Sequence, residues 1–243
     1  MLVPHRHNAR GNLVLSSLNE ADFADVEPFL EPVQFQVREC IETANRKTEK
    51  VYFPYRGLLS VIALSRNKRH EAEVGVIGWE GMTGASVVLG CEPAATNIFV
   101  QIPGDGRSIL ADHLRRLIAA SPTLHVSLLK HVYAFLIQAS NTALANARGR
   151  LDQRLARWLL MAHDRTPCDG LQLTHDFLAL MLGVRRAGVT IALHNLERQG
   201  LIANSRGQII IVDRDGLEHC CDGLYGVAER ELNRLFPEKP NGE

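Results

Sequence analysis

Segment 173–202 constrains the fold of this chain more than any other part, and it reads LTHDFLALMLGVRRAGVTIALHNLERQGLI. Thr174 is a typical N-cap, because its hydroxyl can accept a hydrogen bond from a free backbone N–H of the first helical turn. The apolar residues of this first helix recur with helical spacing at Leu173, Phe177, Leu178, Met181 and Leu182. Ala179 leaves room for a second helix to cross closely, and Gly183 predicts a turn because glycine adopts a positive φ without steric cost. The pattern predicts two short helices in a helix-turn-helix.

The second helix of this segment has one apolar and one polar face. The residues predicted to be buried are Val189, Ala192, Leu193 and Leu196. The residues predicted to point outward are Arg185, Arg186, Gly188, Thr190, Ile191, His194 and Asn195. In a helix-turn-helix the first turns of the second helix enter the major groove, where arginine can donate two hydrogen bonds to guanine O6 and N7. We therefore predict that this face reads DNA bases, with Arg186 as the first candidate.

Three further features extend the predicted DNA surface. Arg185 could read a base or bind a phosphate, and Thr174 is placed for a phosphate oxygen. The run 201–211 predicts a β-hairpin wing with Arg206 at its tip, against the sugar-phosphate backbone. Gly188 costs about 0.5–1 kcal/mol relative to alanine in a helix, so it either allows the backbone close to DNA or is merely tolerated. The predicted DNA-binding residues are Thr174, Arg185, Arg186, Gly188, Thr190, His194 and Arg206. A structural helical hairpin with solvated arginines is the less favoured alternative.

Composition limits the class of protein. With 243 residues, 46% hydrophobic and 22% charged, the chain is long enough for two globular domains, each with its own core. A net charge of zero argues against a purely electrostatic, histone-like DNA binder. The chain lacks an apolar run of about 20 residues and a signal-peptide core, so a cytoplasmic protein without membrane contact is expected. The five cysteines are scattered, which predicts free thiols and no disulfide, metal site or cofactor.

The region from about residue 12 to 101 favours short β-strands, for example at 51–53, 58–64 and 98–100, after a helical stretch at about 19–30. Strands of this length separated by turns predict an antiparallel barrel or jelly roll. The stretch 73–84 contains four glycines. Such a stretch can approach a ligand closely, although glycines also turn corners in small barrels, and composition alone favours the second explanation.

The pattern changes to helix after residue 106. We predict helices at 108–120, at 121–148 with Ser121-Pro122 as N-cap and first residue, and at 151–163. Along the long helix an a/d seam is formed by Leu129, Val132, Leu136, Ala139 and Ala143. Such a seam predicts pairing with an identical helix across a two-fold axis. The alternative is that the seam packs on its own barrel, but Leu124, Leu128, His131 and Phe135 already offer a separate face for that.

A β-barrel, a long helix and a C-terminal winged helix-turn-helix together resemble the bacterial regulators named after the cyclic-AMP receptor protein and FNR. The segments that carry the resemblance are Ser121-Pro-Thr-Leu, 154–160, Leu173-Thr174 and Leu201-Ile202. Two further segments, Val51-Tyr-Phe-Pro and 80–84, resemble an atypical subgroup of sensors within the family. The resemblance implies an α+β fold with a double-stranded β-helix of the cyclic-nucleotide-binding type at 12–107. A helical segment with the dimerisation helix would follow at 108–148, and a winged helix-turn-helix at 149–235. It also implies a homodimeric transcription regulator that binds a palindromic operator and contacts RNA polymerase.

The sequence departs from the cyclic-nucleotide binders of that family. Glu80 could serve as their ribose-binding glutamate, but the place of their phosphate-binding arginine falls at 92–97, which contains no cation. A buried phosphate without a partner is costly, so cyclic AMP is not expected as the ligand. The Thr-Ser pair with which the cyclic-nucleotide binders contact adenine becomes Ala139-Ser140 here. The iron-sulfur branch of the family has a cysteine cluster that this sequence lacks, and no histidine stands out as a haem ligand. Candidate residues for an unknown small-molecule effector are Gly78, Glu80, Gly81, Met82, Thr83, Gly84 and Ser140.

The recognition helix also differs, because the common Arg-Glu-Thr-Val-x-Arg becomes Arg186-Ala-Gly-Val-Thr-Ile191. The operator should therefore differ from that of the cyclic-AMP receptor protein. Our hypothesis for signalling is that an occupied site beside residues 80–84 and Ser140 shifts the dimer seam and so the spacing of the two recognition helices. A small-molecule or cyclic-nucleotide sensor with vestigial DNA binding is the alternative function. An enzyme ranks third, since no catalytic motif stands out.

Overall fold

The structure is a computed structural model that describes residues 10–67, 69–166, 170–205 and 207–237. The strands are β1 (Glu31–Phe35), β2 (Cys40–Glu42), β3 (Lys50–Pro54), β4 (Leu58–Leu64), β5 (Glu71–Ile77), β6 (Asn97–Ile102), β7 (Gly104–Leu110), β8 (Gly170–Gln172), β9 (Ile202–Ser205) and β10 (Gln208–Ile211). The helices are α1 (Leu13–Ser17), α2 (Glu20–Val26), α3 (Ala85–Leu89), α4 (Ala111–Ala120), α5 (Pro122–Arg148), α6 (Leu151–His163), α7 (His175–Leu182), α8 (Arg186–Arg198), α9 (Arg214–Cys220) and α10 (Val227–Leu235), with a 3-10 turn at Glu27–Phe29.

The N-terminal half is an antiparallel β-domain of two sheets. One sheet has the order β1-β7-β3 and the other β2-β6-β4-β5. Side chains between the sheets form a core that includes Phe35, Leu59, Val61, Ile98 and Val100. The fold class predicted from the sequence is confirmed, and the three quoted strand runs lie within β3, β4 and β6.

The prediction that a helix starts at Ser108 was wrong. Ser108 to Leu110 belong to β7, where Ser108 pairs with Glu31 of β1 and with Tyr52 of β3. The helix α4 begins only at Ala111. Strand pairing, with β1 and β3 at Ser108 and with β3 alone at Ile109 and Leu110, decides the backbone of these three residues against their local helical pattern.

Two helices of five residues each, α1 and α3, were not predicted. A helix this short shows no full period, so its apolar pattern cannot be told from a strand or a loop. Asn12 caps α1 by accepting hydrogen bonds from the amides of Val14 and Leu15, both of which are buried. Tertiary burial and this cap therefore hold α1 rather than helix propensity.

The helix α5 begins and ends where the sequence predicted. The hydroxyl of Ser121 accepts a hydrogen bond from Leu124 N, and Pro122 occupies the first helical position. Its 27 residues span about 40 Å at 1.5 Å per residue. One face is buried against the rest of the chain through Leu124, Leu128, His131, Ala134, Gln138 and Ala145. This is the barrel-facing side expected from the sequence.

The core of the C-terminal half is continuous with the outer face of the barrel. The apolar cluster under α6, α7 and α8 continues into the barrel and includes Leu58, Ile62 and Val76 of β4 and β5. At the chain's end, Leu232 of α10 and Phe236 form a second apolar cluster with Leu13 and with Ala134 of α5. The two halves therefore pack against each other through two shared apolar clusters.

Within the described ranges no single helix is long and apolar enough to cross a membrane; α7 and α8 meet that test only as a pair, and the pair is bent by 105°.

Candidate nucleic-acid interface

The helices α7 and α8 meet at an angle of 105°, within the range of helix-turn-helix units. Thr174 caps α7 by accepting a hydrogen bond from Phe177 N. Gly183 ends it with a φ of +63°, and its N–H reaches the carbonyl oxygens of Ala179 and Leu180. The Arg154 guanidinium of α6 donates to the carbonyl oxygen of Leu182, the last residue of α7. The predicted cap and turn are thus present, and α6 fixes the far end of α7.

The buried face of α8 is as predicted, with Val189, Ala192, Leu193 and Leu196 inside. On the outer side, Arg185, Arg186, Thr190, Ile191, His194 and Asn195 are exposed. Arg185 is the N-cap residue and Arg186 the first residue of the helix. Both guanidinium groups therefore stand at the end of α8 that enters the major groove in helix-turn-helix proteins.

Weak contacts hold two of the residues predicted to bind DNA, Arg186 and Thr190. Arg186 Nε lies 3.4 Å from Asp176 Oδ1, and both side chains are mostly exposed. The Thr190 hydroxyl donates to the Arg186 carbonyl at 3.2 Å and lies 3.0 Å from His175 Nδ1. An exposed ion pair of this kind is worth about 0–1 kcal/mol, so Arg186 can exchange Asp176 for a base at little cost. His175 and Asp176 are neighbours of the site that the sequence did not single out.

Thr174 is exposed and keeps the geometry needed for a phosphate. Its oxygen already accepts a hydrogen bond from Phe177 N at 3.2 Å. The hydroxyl proton remains able to donate to a phosphate oxygen, because a hydroxyl both donates and accepts.

Gly188 does not point outward as predicted. A Cβ built on Gly188 would lie 3.1 Å from Leu151 Cδ2, so this position faces the start of α6. The missing side chain leaves room for Leu151 of α6 beside α8 at this position.

The wing is a three-stranded antiparallel sheet of order β8-β10-β9. The sequence predicted β9 and β10, whereas the short strand β8 was not foreseen. Gln208 pairs with Ser205 across the tip, and Leu173 N donates to the Gly207 carbonyl at 2.9 Å. The wing is therefore tied directly to the start of α7. Arg206, predicted to bind the DNA backbone, lies outside the described residues.

The candidate effector loop, residues 78–84, is filled by the protein's own side chains. Glu80 forms an ion pair with Arg165, which follows α6, at 2.8 Å, and both side chains are almost fully buried. Met82 is buried in the barrel core, and the Thr83 hydroxyl accepts a hydrogen bond from Tyr52 N. Glu80 thus acts as a buried link from the barrel to the end of α6.

The glycines of this loop make room for protein rather than for a ligand. A Cβ at Gly81 would lie 2.7 Å from His131 Cε1 of α5, and one at Gly78 would lie 2.9 Å from Arg165 Cγ. Gly84 has a φ of +74°, and its Cβ would lie 2.5 Å from a side chain of β3. The cavity beside Glu80 has a volume of about 20 Å³, enough for a single water molecule.

His131 takes the position on α5 that faces this loop. Its Nε2 lies 3.2 Å from Met82 N and 3.0 Å from Met82 O, and burial lowers the pKa of the ring, while the Glu80 charge acts in the opposite direction. Ser140, predicted to join the effector loop, is exposed and donates to the Leu136 carbonyl. Because Gln138 faces the barrel, a residue two positions later lies on the far side of the helix. Ser140 therefore does not contact the loop of its own chain.

A second buried carboxyl joins the barrel to α6. Glu73 of β5 accepts hydrogen bonds from Trp158 Nε1 at 2.6 Å and from the Ser60 hydroxyl. Burial raises the pKa of Glu73 to about 7, although both hydrogen bonds act in the opposite direction. The sequence reasoning placed Trp158 against the helix-turn-helix, where its ring does contact Phe177 edge-on at 5.6 Å. Its bond to the barrel was missed, because Glu73 lies 85 positions away along the chain and the residues around Trp158 do not identify it as the partner.

The predicted seam on α5 is partly covered. Leu129 and Val132 pack against the barrel cluster, Ala139 is half-buried, and Leu136 and Ala143 are exposed. Large apolar side chains stand in solvent along the same side of the helix, namely Val126, Tyr133, Leu136 and Leu144. The helix therefore keeps an uncovered apolar stripe opposite its barrel-facing side.

The four cysteines in the described part of the chain are free thiols, as expected, while Cys168 lies outside it. Among those same residues no cluster of histidine, cysteine and carboxylate side chains could hold a metal ion.

Residues 153–220 match the family described as the Crp-like helix-turn-helix domain. Solved structures of similar fold include FixK2 from Bradyrhizobium japonicum, with 18% identity and a TM-score of 0.65 over 79% of this chain and 96% of that one. A Crp/Fnr-family transcriptional regulator from Thermus thermophilus has 22% identity and a TM-score of 0.65 over 80% and 100%. A chain from Eubacterium rectale assigned to the same family has 21% identity and a TM-score of 0.67 over 86% and 98%. No functionally curated protein matches the chain.

These findings confirm the resemblance to the Crp/Fnr regulators. The chain has their fold, and residues 153–220 form a Crp-like helix-turn-helix domain.

Proposed function

We propose that this protein is a homodimeric, sequence-specific transcription regulator that places Arg186 of each protomer in the major groove of a palindromic operator. The observation that carries the proposal is the exposed pair Arg185 and Arg186 at the first turn of α8, on a helix-turn-helix whose opposite face is fully packed. The predicted contacts of Thr174, Thr190 and His194 belong to the same proposal. So does Arg206 of the wing, and we do not include Gly188.

The proposed dimer uses the outer side of α5. A monomer would leave Val126, Tyr133, Leu136 and Leu144 in water, along a helix about 40 Å long. A second copy of the same helix would cover them across a two-fold axis. Of the predicted seam, this stripe contains only Leu136. Two recognition helices related by that axis must lie about 34 Å apart to enter successive major grooves.

We propose an effector other than cyclic AMP. Two observations support this: Glu80 is already paired with Arg165, and segment 92–97 supplies no cation for a phosphate. We further expect the protein to work in the cytoplasm, where DNA is accessible, and to contact RNA polymerase at the promoters that it binds. The domain limits proposed for it remain 12–107, 108–148 and 149–235.

The test begins with selection of bound duplexes from random-sequence DNA by the full chain. The proposal predicts a palindrome whose half-site centres are about 10 base pairs apart. Affinity for the selected duplex is then measured by fluorescence anisotropy for wild type, Arg186→Ala and the control Arg116→Ala. Arg116 is exposed on α4, far along the chain from α8, and its substitution removes the same charge.

We expect Arg186→Ala to lose about 1–3 kcal/mol of binding free energy, or roughly 5- to 150-fold in Kd, and Arg116→Ala to bind like wild type. Equal affinity of Arg186→Ala and wild type would refute the assignment. Failure to select any sequence would refute sequence-specific recognition as a whole.

A further inference from the structure

The outer face of the sheet β2-β6-β4-β5 is only partly covered by the helix-turn-helix domain. α6 and α7 pack over β4 and β5, so that Ile62 and Phe177 share one apolar cluster. Over β6 the cover is incomplete, since Phe99 is only half-buried and the Gln101 amide lies 3.8 Å from Met181 Sδ of α7. A cavity of about 480 Å³ opens there between the barrel and α7, a volume typical of small-molecule sites.

The lining of this cavity is mostly apolar and comes from both halves of the chain. Ile62, Phe99 and Val100 form the barrel side, and Phe177, Leu180 and Met181 form the α7 side. Leu180 is 45% exposed although it is a leucine at the end of a packed helix. Ile62, Val100 and Met181 are themselves buried, so the accessible apolar surface comes from Phe99, Phe177 and Leu180. Covering this surface favours an apolar occupant.

One cation stands at the rim. Arg38 lines the cavity, its side chain is exposed, and it has no ion-pair partner among residues 10–67, 69–166, 170–205 and 207–237. Its backbone is fixed, because Arg38 N donates to the Val100 carbonyl at 2.9 Å, and Val100 N donates to the Glu39 carbonyl at 2.9 Å. The side chain therefore starts directly beside the cavity floor, in a backbone conformation with a φ of +68°.

Two carboxylates also reach the rim, and they lie on the α7 and β5 side. Asp176 is already paired with Arg186, and Glu71 begins β5, the edge strand over which α7 packs. The open side over β6 is thus the side of Arg38. A guanidinium suits a carboxylate because the two groups can form paired, charge-assisted hydrogen bonds.

We infer that this cavity binds a small amphipathic carboxylic acid, with its apolar body between β6 and α7 and its carboxylate on Arg38. Thr174 and Asp176, at the start of α7, line the same cavity. An occupant therefore contacts α7, the helix that packs against α8 in the helix-turn-helix. The site would then serve as an effector site, and this second part rests on the proposed function.

Binding is tested by isothermal titration calorimetry of the full chain with decanoate, decanol and decylammonium, each below the concentration at which it forms micelles. Trp158 fluorescence is recorded in parallel, since its ring contacts Phe177 of the cavity wall. The variants are Arg38→Gln, which removes the charge, and Leu180→Trp, which fills the space. Their controls are Arg116→Gln and Leu89→Trp, at exposed positions outside the cavity.

We expect decanoate to bind one per chain with a change in Trp158 emission, Arg38→Gln to weaken it about tenfold without affecting decanol, and Leu180→Trp to abolish both. The two controls should bind like wild type, and circular dichroism should show all variants folded. The assignment would be overturned if wild type failed to bind decanoate or bound decylammonium more tightly than decanoate. It would also be overturned if Arg38→Gln bound decanoate as tightly as wild type does, or if folded Leu180→Trp kept the wild-type affinity.

The effector role is read separately, from the affinity for the selected duplex with and without saturating decanoate. A change of at least threefold that is lost in Leu180→Trp supports the role. An unchanged affinity despite one-to-one binding would overturn the effector role and leave the binding site standing. A wild-type protein that binds decanoate but no DNA would refute the proposed function instead.

Discussion

Replacing Glu73 by glutamine should stabilise the protein, and mainly at high pH. The carboxyl is buried between β5 and α6, and its pKa rises from 4.5 to about 7 because burial disfavours the charged form. The folded state therefore holds the proton more tightly than the unfolded state. Stability is not penalised below about pH 4.5, falls as the pH rises towards 7, and is lowest above 7. With about 1.4 kcal/mol for each unit, the full penalty is roughly 3 kcal/mol.

Glutamine has the same shape and no charge to bury. Its carbonyl oxygen can still accept the Trp158 hydrogen bond, and its amide can donate to the Ser60 hydroxyl. We expect urea unfolding to give Glu73→Gln a free energy of unfolding about 3 kcal/mol above wild type at pH 8.5 and only about 1 kcal/mol above it at pH 5. Glu71→Gln, at an exposed position of the same strand, is the control and should show no such difference. A gain that is the same at both pH values, or no gain at pH 8.5, would refute the reasoning.

Three further substitutions test other parts of the structure. Leu136→Glu places a charge on the uncovered stripe of α5, so light scattering should show monomers with an unchanged circular dichroism spectrum, and an intact dimer would show that the interface lies elsewhere. Gly84→Ala should lower the free energy of unfolding by more than about 1 kcal/mol, because φ is +74° and the Cβ meets a valine of β3; a neutral result in urea unfolding would contradict the packing there. Glu80→Ala leaves Arg165 charged, buried and unpaired, which should cost about 3–5 kcal/mol by the same assay, and a loss under 1 kcal/mol would argue against the buried pair.

Sequence reasoning succeeded where the controlling interactions are local. Thr174, Gly183 and Ser121 act on amides or dihedral angles within a few residues of themselves, so their roles can be read from their neighbours. The periodicity of α8 is local in the same sense. Its apolar positions predicted the buried face, and the positions between them predicted the exposed arginines.

One missed contact did leave a signal. In β4 the residues from Leu58 to Ile62 are all buried, although the neighbouring side chains of a strand point to opposite faces. Such an unbroken run is typical of a strand that is covered on both sides. The run therefore already indicated that a second layer, here α6 with Trp158, would cover the outer face of the barrel.

By itself, the sequence determined the helix-turn-helix and the length of α5, because capping, turns and hydrophobic period depend on residues close together in the chain. Only the tertiary structure decided the rest. In the tertiary structure Glu73 bonds to Trp158 of α6 and Glu80 pairs with Arg165 just after that helix. Gly188 faces inward, Ser140 faces outward, and Ser108 lies in a strand. Each of these depends on a partner far along the chain or on the direction in which a helix face is packed, and neither quantity is contained in the local pattern.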